Sequence, residues 1–191
     1  MQKTAITAAP ILPVIADRWS PRAYDETYEI TQHEVLSILE AGRWAPSANN
    51  GQPWRFSVIT RNDQLADKFL PTLGRNADWS HRASAHIVIS ALNVKEDGTP
   101  YLTAGFDSGL AAQNMMLQTR ELGLHVRPIG GVDRDAMREV LDLPANLNII
   151  AVLVIGKRAD AKVLEGTWAY DLEVSTRVRH DLDDIVLHGK P

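Results

Sequence analysis

The stretch from Thr103 to Leu122 constrains this 191-residue chain more than any other. It reads as one long helix, and Gly123 fits the left-handed position that follows a helix end. Its apolar and small residues (Ala104, Phe106, Gly109, Leu110, Ala111, Ala112, Met115 and Met116) surround much of the circumference. A helix of that kind belongs inside a core or across a subunit interface, because a surface helix keeps one polar face. Met115 and Met116 read as core packing rather than as ligands. The run Ala85–Leu92 is short, β-branched and mostly apolar, which suits a central strand, and Leu147–Ile155 reads as a second apolar strand.

The other elements alternate around these. Thr31 and Glu34 form a capping box opening a helix whose apolar stripe is Val35, Leu36, Leu39 and Ala41, with Glu34, Ser37, Glu40 and Arg43 facing water. Pro46 stops it. From Trp54 to Thr60 the alternation predicts a half-buried strand, with Trp54, Phe56 and Val58 on one face and Arg55, Ser57 and Ile59 on the other. Asn62 can cap a short helix ending near Pro71, and a polar stretch follows over 74–80. Residues 124–127 predict a strand running into Pro128-Ile129-Gly130-Gly131, and Asp133 caps a helix through Leu141. After Lys157 the chain is more polar, with a last short helix over 181–187. The pattern implies an α+β sandwich: an N-terminal arm over residues 1–17, then a single domain over 18–191.

Composition excludes several chemistries. The net charge of −4 gives no basic face for nucleic acid, and the absence of cysteine removes thiolate catalysis and Cys-based metal sites. The six histidines make no H-E-x-x-H pair for a catalytic zinc. There is no G-x-G-x-x-G after a strand, no phosphate-loop motif and no G-x-S-x-G elbow. Ala5–Ala16 is too short to span a bilayer, and its two prolines make a poor signal core. We therefore expect an extended arm packed on another surface and a cytoplasmic protein with no membrane partner.

Three constellations could carry chemistry. Arg18, Ser20 and Arg22 alternate, so in an extended segment they share a side and suit a phosphate. The alternative is a solvated patch paired with Asp17, Asp25 or Glu26. Pro46-Ser47-Ala48-Asn49-Asn50-Gly51-Gln52 concentrates donors and acceptors that suit a flat heteroaromatic ring, or else a turn whose amides satisfy their own backbone. Gly130-Gly131 lets a ligand approach the backbone closely, or else it is a turn into the next helix.

Five motifs occur in order: R-x-S-x-R-x-Y (Arg18 to Tyr24), P-S-x-x-N-x-Q-P-W (Pro46 to Trp54), D-x-G-x-A-x-Q-N (Asp107 to Asn114), I-G-G (Ile129 to Gly131) and R-x-x-L-D-D-I-V (Arg179 to Val186). With them the sequence resembles the nitroreductase family of FMN-dependent oxidoreductases over roughly residues 17–188. The resemblance implies a nitroreductase-like sandwich, a mostly antiparallel sheet flanked by helices, and a homodimer with FMN at the subunit interface. It implies that Arg18, the Trp19 backbone, Ser20 and Arg22 hold the phosphate, joined by Arg177 and Arg179. Pro46, Ser47, Asn50 and Gln52 would line the ring and ribityl chain. Asn76 would meet the pyrimidine side, and Gly130, with Gly131 beside it, would present an N–H to the flavin N5.

The implied reaction is ping-pong hydride transfer from NADH or NADPH to a small aromatic acceptor, a nitroaromatic or a quinone. The flavin carries the chemistry, so no side chain is expected to act as a catalytic acid or base. The resemblance also accommodates a reductive dehalogenase, an enoyl-type dehydrogenase, a flavin-destroying enzyme or a flavin-binding protein without turnover. Trp19 departs from a pattern that often has a basic residue there. The short connection from Val94 to Tyr101 departs from relatives with a larger lid.

Overall fold

A computed structural model of the protein describes residues 3–189; Met1, Gln2, Lys190 and Pro191 lie outside the described residues. In chain order the elements are α1 (Pro13–Asp17), α2 (Gln32–Arg43), β1 (Trp54–Thr60), α3 (Ala66–Phe69), α4 (Ala77–Ser80), β2 (Ala85–Leu92), α5 (Ala104–Glu121), β3 (His125–Ile129), α6 (Arg134–Val140), β4 (Leu147–Gly156), α7 (Ala169–Val174) and α8 (Leu182–Ile185). The four strands form one antiparallel sheet in the order β1-β2-β4-β3. The fold is α+β, with helices on both faces of the sheet.

Period-two alternation along the two central strands divides the core. Val88 of β2 and Val152 and Val154 of β4 point to a cluster with Trp79, Phe69, Leu73 and Met137. Ile87 and Ile89 of β2, with Leu153 and Ile155 of β4, point to the opposite cluster with Ile38 of α2 and Met115 of α5. Strand β2 is buried on both faces as far as Ala91, which explains its near-continuous apolar run. A bulge between Ile89 and Ser90 shifts the register with β4.

The capping box at α2 is present: Glu34 N–H donates to Thr31 Oγ1 at 3.2 Å and Thr31 N–H donates to the Glu34 carboxylate at 2.7 Å. The buried face of α2 matches the expected stripe only in part: Val35, Leu39 and Ala41 are half-buried, with Leu39 packed on the core. Ile38 and Gly42 are its buried residues, while Leu36 is exposed. The cause is the approach of α5: a Cβ on Gly42 would lie 2.8 Å from Met115 Cγ and Sδ, so the crossing point is fixed there. Helix α5 likewise buries one face, through Asp107, Ser108, Ala111, Met115 and Thr119. Gly105, Phe106 and Gly109 remain exposed on this chain, so its apolar circumference is only partly used by its own core.

Four other regions depart from expectation. The short helix capped near Asn62 begins instead at Ala66, after a turn in which Asp63 Oδ1 accepts Leu65 N–H at 2.8 Å. The polar stretch over 74–80 is helical, a 3₁₀ segment through Asn76 followed by α4. The segment after Lys157 contains α7, whose Ala169 and Glu173 are buried. The N-terminal arm is not extended throughout, because α1 closes it. It folds back on itself, with Ala5 N–H donating to Ala16 O at 2.9 Å and Thr4 Oγ1 to Asp17 Oδ1 at 2.7 Å. Among the described residues no helix is long and apolar enough to cross a membrane.

Candidate functional site

The site begins where α1 stops. Arg18 leaves the helix in extended conformation, and alternation puts Arg18 beside Ser20, whose Oγ accepts from Arg18 Nη1 at 3.3 Å. The C-terminal segment arrives at the same place. Arg177 Nη1 donates to Lys3 O at 2.6 Å and to Ala16 O at 2.7 Å, which ties residues from opposite ends of the chain together. Burial, then the like charges of Arg177 and Arg179, holds the Arg18 guanidinium below its usual pKa. Arg177 is lowered by burial and by Arg179, with Asp17 acting in the opposite sense. Three guanidiniums thus converge with mutual repulsion, an arrangement that an incoming anion relieves. The surface-patch alternative loses two of its partners: Glu26 pairs with Arg82 at 2.9 Å and Asp25 Oδ1 accepts from Thr27.

Arg22 belongs to a second group. Its guanidinium lies 5.7 Å from the Trp168 ring, Arg75 stacks on that ring at 3.7 Å, and Arg127 lies 5.8 Å from Trp79. Glu173, 4% exposed, accepts the Arg22 backbone N–H at 2.6 Å. Arg127 Nη1 donates to Ser20 O at 2.6 Å, which links the two groups through the backbone. Burial, then Arg127, brings the Arg22 pKa down to about 10, with Glu173 opposing. The buried Nε atoms of Arg22 and Arg127 meet no acceptor. The side chain of Trp19 turns away from Arg18 and is buried, with Lys3 Nζ 4.5 Å from its ring.

The loop between α2 and β1 is the most strained backbone in the described residues. Asn49, Asn50 and Gln52 have φ of 52°, 54° and 46°, left-handed values that non-glycine residues adopt at a cost. Its conformation is held from several sides. Gln52 N–H donates to Ser47 Oγ at 3.1 Å, and Gln52 Nε2 donates to Asn50 O and Oδ1, each at 3.1 Å. Some of its amides therefore satisfy the loop itself. Asp107 of α5, 1% exposed, accepts from Ala48 N–H at 3.3 Å and from Thr103 Oγ1 at 3.0 Å. A Cβ on Gly51 would lie 1.5 Å from the Tyr101 hydroxyl, so this position requires glycine for space. Pro46, Asn50 and Gln52 are exposed and Ser47 is half-buried.

Strand β3 ends at Ile129, and Gly130 and Gly131 follow on the surface. A Cβ on either would meet nothing, so the glycines border open space that a flat group can enter. Asn76 secures this ledge: its Nδ2 donates to Gly131 O at 3.1 Å and Leu73 O at 3.2 Å. Its amide protons are spent on the backbone, leaving Oδ1 for any ligand.

The structure therefore brings Arg18, Ser20, Arg177 and Arg179 together, pairs Asn76 with Gly131, and internally braces Ser47, Asn50 and Gln52. Sequence reasoning missed the bracing residues Asp107, Glu173, Arg75, Arg127 and Trp168. Asp107 opens a motif that was visible, whereas Glu173 carries no sequence signal because only tertiary packing buries it.

The sequence model of the nitroreductase family matches residues 15–78 and 73–157. The YdgI protein of Bacillus subtilis (strain 168), provisionally named an NAD(P)H nitroreductase, is 29% identical over 202 residues, covering 86% of this chain and 94% of that one. A crystal structure described as an oxidoreductase containing FMN is 32% identical, with a TM-score of 0.88 and coverage of 97% of this chain and 94% of that one. A protein of Desulfovibrio desulfuricans, provisionally called a nitroreductase and solved in complex with FMN, is 26% identical with a TM-score of 0.77 over 96% of this chain and 99% of that one.

Proposed function

Since the chain belongs to the nitroreductase family, we propose that it is an FMN-dependent oxidoreductase using NADH or NADPH and reducing nitroaromatic or quinone-type acceptors. The observation that carries this reading is the convergence of Arg18, Ser20, Arg177 and Arg179 from opposite ends of the chain, ringed by like charge. A phosphate of about −1.5 to −2 charge matches that cluster.

The residues present fit FMN on three counts: the cationic cluster, the braced polar loop and the open glycine ledge. Arg18, Ser20, Arg177 and Arg179 would hold the phosphate with the Trp19 backbone. Arg22, grouped with Arg75 and Arg127, adds positive potential beside them. Pro46, Ser47, Asn50 and Gln52 would line the ring and ribityl chain, Asn76 would offer Oδ1 to the pyrimidine side, and Gly130 would offer its N–H near N5. When bound, FMN would supply the hydride chemistry at N5 that links NADH or NADPH to the acceptor in a ping-pong reaction. The protein's part is to bind, orient and provide fixed dipoles, which cost no reorganisation during the reaction. Asp107 and Tyr101 serve this by fixing the strained loop before any ligand arrives.

A second copy of the chain completes the assembly in this reading. Phe106 and Leu102 are 71% and 92% exposed beside Gly105 and Gly109, whose absent side chains permit close backbone approach. Val178 and Leu187 of the C-terminal segment are also exposed. Apolar surface of this extent on α5 and the C-terminal tail suits a homodimer.

The test is the visible spectrum of the protein reconstituted with FMN, recorded anaerobically before and after NADPH, then NADH. A flavin spectrum that bleaches with either supports the proposal. A bound flavin that neither nucleotide reduces removes the nicotinamide-linked activity, and failure to bind FMN removes the whole reading.

A further inference from the structure

A second cationic site lies on the other side of the segment that carries Arg18. Extended chain alternates its side chains, so while Arg18 and Ser20 face Arg177 and Arg179, Trp19 faces the opposite way; Asp17, the last residue of α1, lies between the two sides, near enough to Arg177 to oppose its charge. There they line a cavity of about 350 Å³ with Arg120, Gly123, His125, Lys157 and Arg158. Three elements meet at it: the last turn of α5 brings Arg120, the first residue of β3 brings His125, and the end of β4 leads into Lys157 and Arg158.

Arg120, Lys157 and Arg158 line the cavity together with Asp17, whose Oδ1 accepts from Thr4. Among the described residues, the buried Arg120 Nε and His125 Nδ1 have no hydrogen-bond partner. Buried polar nitrogens ordinarily find one, so two without a partner, on residues that line one cationic cavity, point to a partner from outside the chain. Burial, then the charges of Arg120 and Arg158, brings the His125 pKa down to about 4, which is the response of an imidazole held among cations. Lys157 Nζ sits 5.7 Å from the Tyr28 ring and Arg158 6.0 Å from the Trp19 ring, so aromatic faces orient both cations.

We propose that this cavity is a binding site for a phosphate-class oxyanion, free or as a phosphomonoester, held by Arg120, His125, Lys157 and Arg158. It is separate from the FMN ring contact proposed above. His125 and Gly130 stand at opposite ends of β3, about 16 Å apart by strand rise. It is nonetheless joined to the phosphate cluster through one stretch of backbone, residues 17–20.

The experiment is an NMR titration of the FMN-supplemented protein with inorganic phosphate, against chloride at matched ionic strength, reading the His125 ring resonances. A His125→Asn sample assigns them. Phosphate is expected to produce a saturable shift and to raise the His125 pKa, because an anion favours imidazolium. Arg120→Gln should weaken phosphate about tenfold, by loss of a charge-assisted hydrogen bond. Lys157→Gln, on exposed surface, provides the same test should the Arg120 variant fold poorly. Arg179→Ala should leave the His125 response intact, which separates this site from the FMN phosphate cluster. AMP in place of phosphate distinguishes the sources: tighter binding of AMP identifies a phosphomonoester site, and response to phosphate alone identifies a free-anion site. No saturable shift beyond that in chloride, or a shift that survives both Arg120→Gln and Lys157→Gln unchanged, overturns the proposal.

Discussion

Two groups of arginines lie a few residues apart and are built on opposite principles. Arg18, Arg177 and Arg179 repel one another, and only Asp17 opposes their charge at Arg177. Arg22, Arg75 and Arg127 repel one another too, but the buried carboxylate of Glu173 and the faces of Trp168 and Trp79 offset part of that charge from within. In the proposed reading an outside anion completes the first group. The second is part of the scaffold, and its Ser20 contact holds the first in place. Charge alone does not distinguish a binding residue from a structural one; the partner does.

That contrast can be broken most directly by removing the first group. Arg18→Ala with Arg179→Ala should leave a folded protein that binds FMN about a hundredfold more weakly or worse, and so purifies colourless. Absorbance at purification and a fluorescence titration would measure it, and undiminished flavin content refutes the phosphate assignment. Acid stability gives a background that both groups should share. His86 is buried, its ring lies tilted against Phe69 at 5.4 Å, and burial brings its pKa from 6.5 down to about 4. The folded state therefore binds fewer protons than the unfolded state between those values. Stability should fall by about 3 kcal/mol as the pH drops through that window. Urea midpoints from pH 7 to 4 would show it, and a clearly shallower profile in His86→Leu, the remainder belonging to His125, would assign it.

Glu173→Gln keeps the shape but removes the charge beneath Arg22. Its cost should appear in stability, about 2 kcal/mol by urea denaturation, with only a secondary loss of FMN affinity. The reverse outcome, unchanged stability with colourless protein, would move Glu173 and Arg22 into the binding group. The smallest effect tests the loop. Gly51→Ala forces a Cβ against the Tyr101 hydroxyl and should cost about 1–2 kcal/mol. Measured against Tyr101→Ala alone, Gly51→Ala with Tyr101→Ala should show much less of that loss in the same assay, since the clash is with the tip of the Tyr101 ring, Cζ at 2.7 Å included.

Elements with a local cause were legible. The Thr31 capping box, the Asp133 cap whose side chain accepts Ala136 N–H at 3.0 Å, the long helix stopped by Gly123 at φ 77° and the apolar central strands all appear where local chemistry puts them. Elements set by packing were not. Leu36 looks like core by periodicity, yet α5 meets α2 at Ile38 and Gly42 instead. Helix α7 lacks a strong local signal and exists through the burial of Ala169 and Glu173.

The site divides in the same way. The sequence by itself determined which chemistry is available: guanidiniums without cysteine, an amide-rich loop between a helix and a strand, a glycine pair at a strand end, and five ordered motifs that mark the family. Those are properties of short segments, and short segments keep them whatever surrounds them. Only the tertiary structure decided that Arg18 meets Arg177 and Arg179 while Arg22 meets Glu173, that Asn76 spends its amide on Gly131, and that His125 faces Arg120 and Arg158. Electrostatic and hydrogen-bond energies depend on distance and burial, and both are set by which residues the fold brings together.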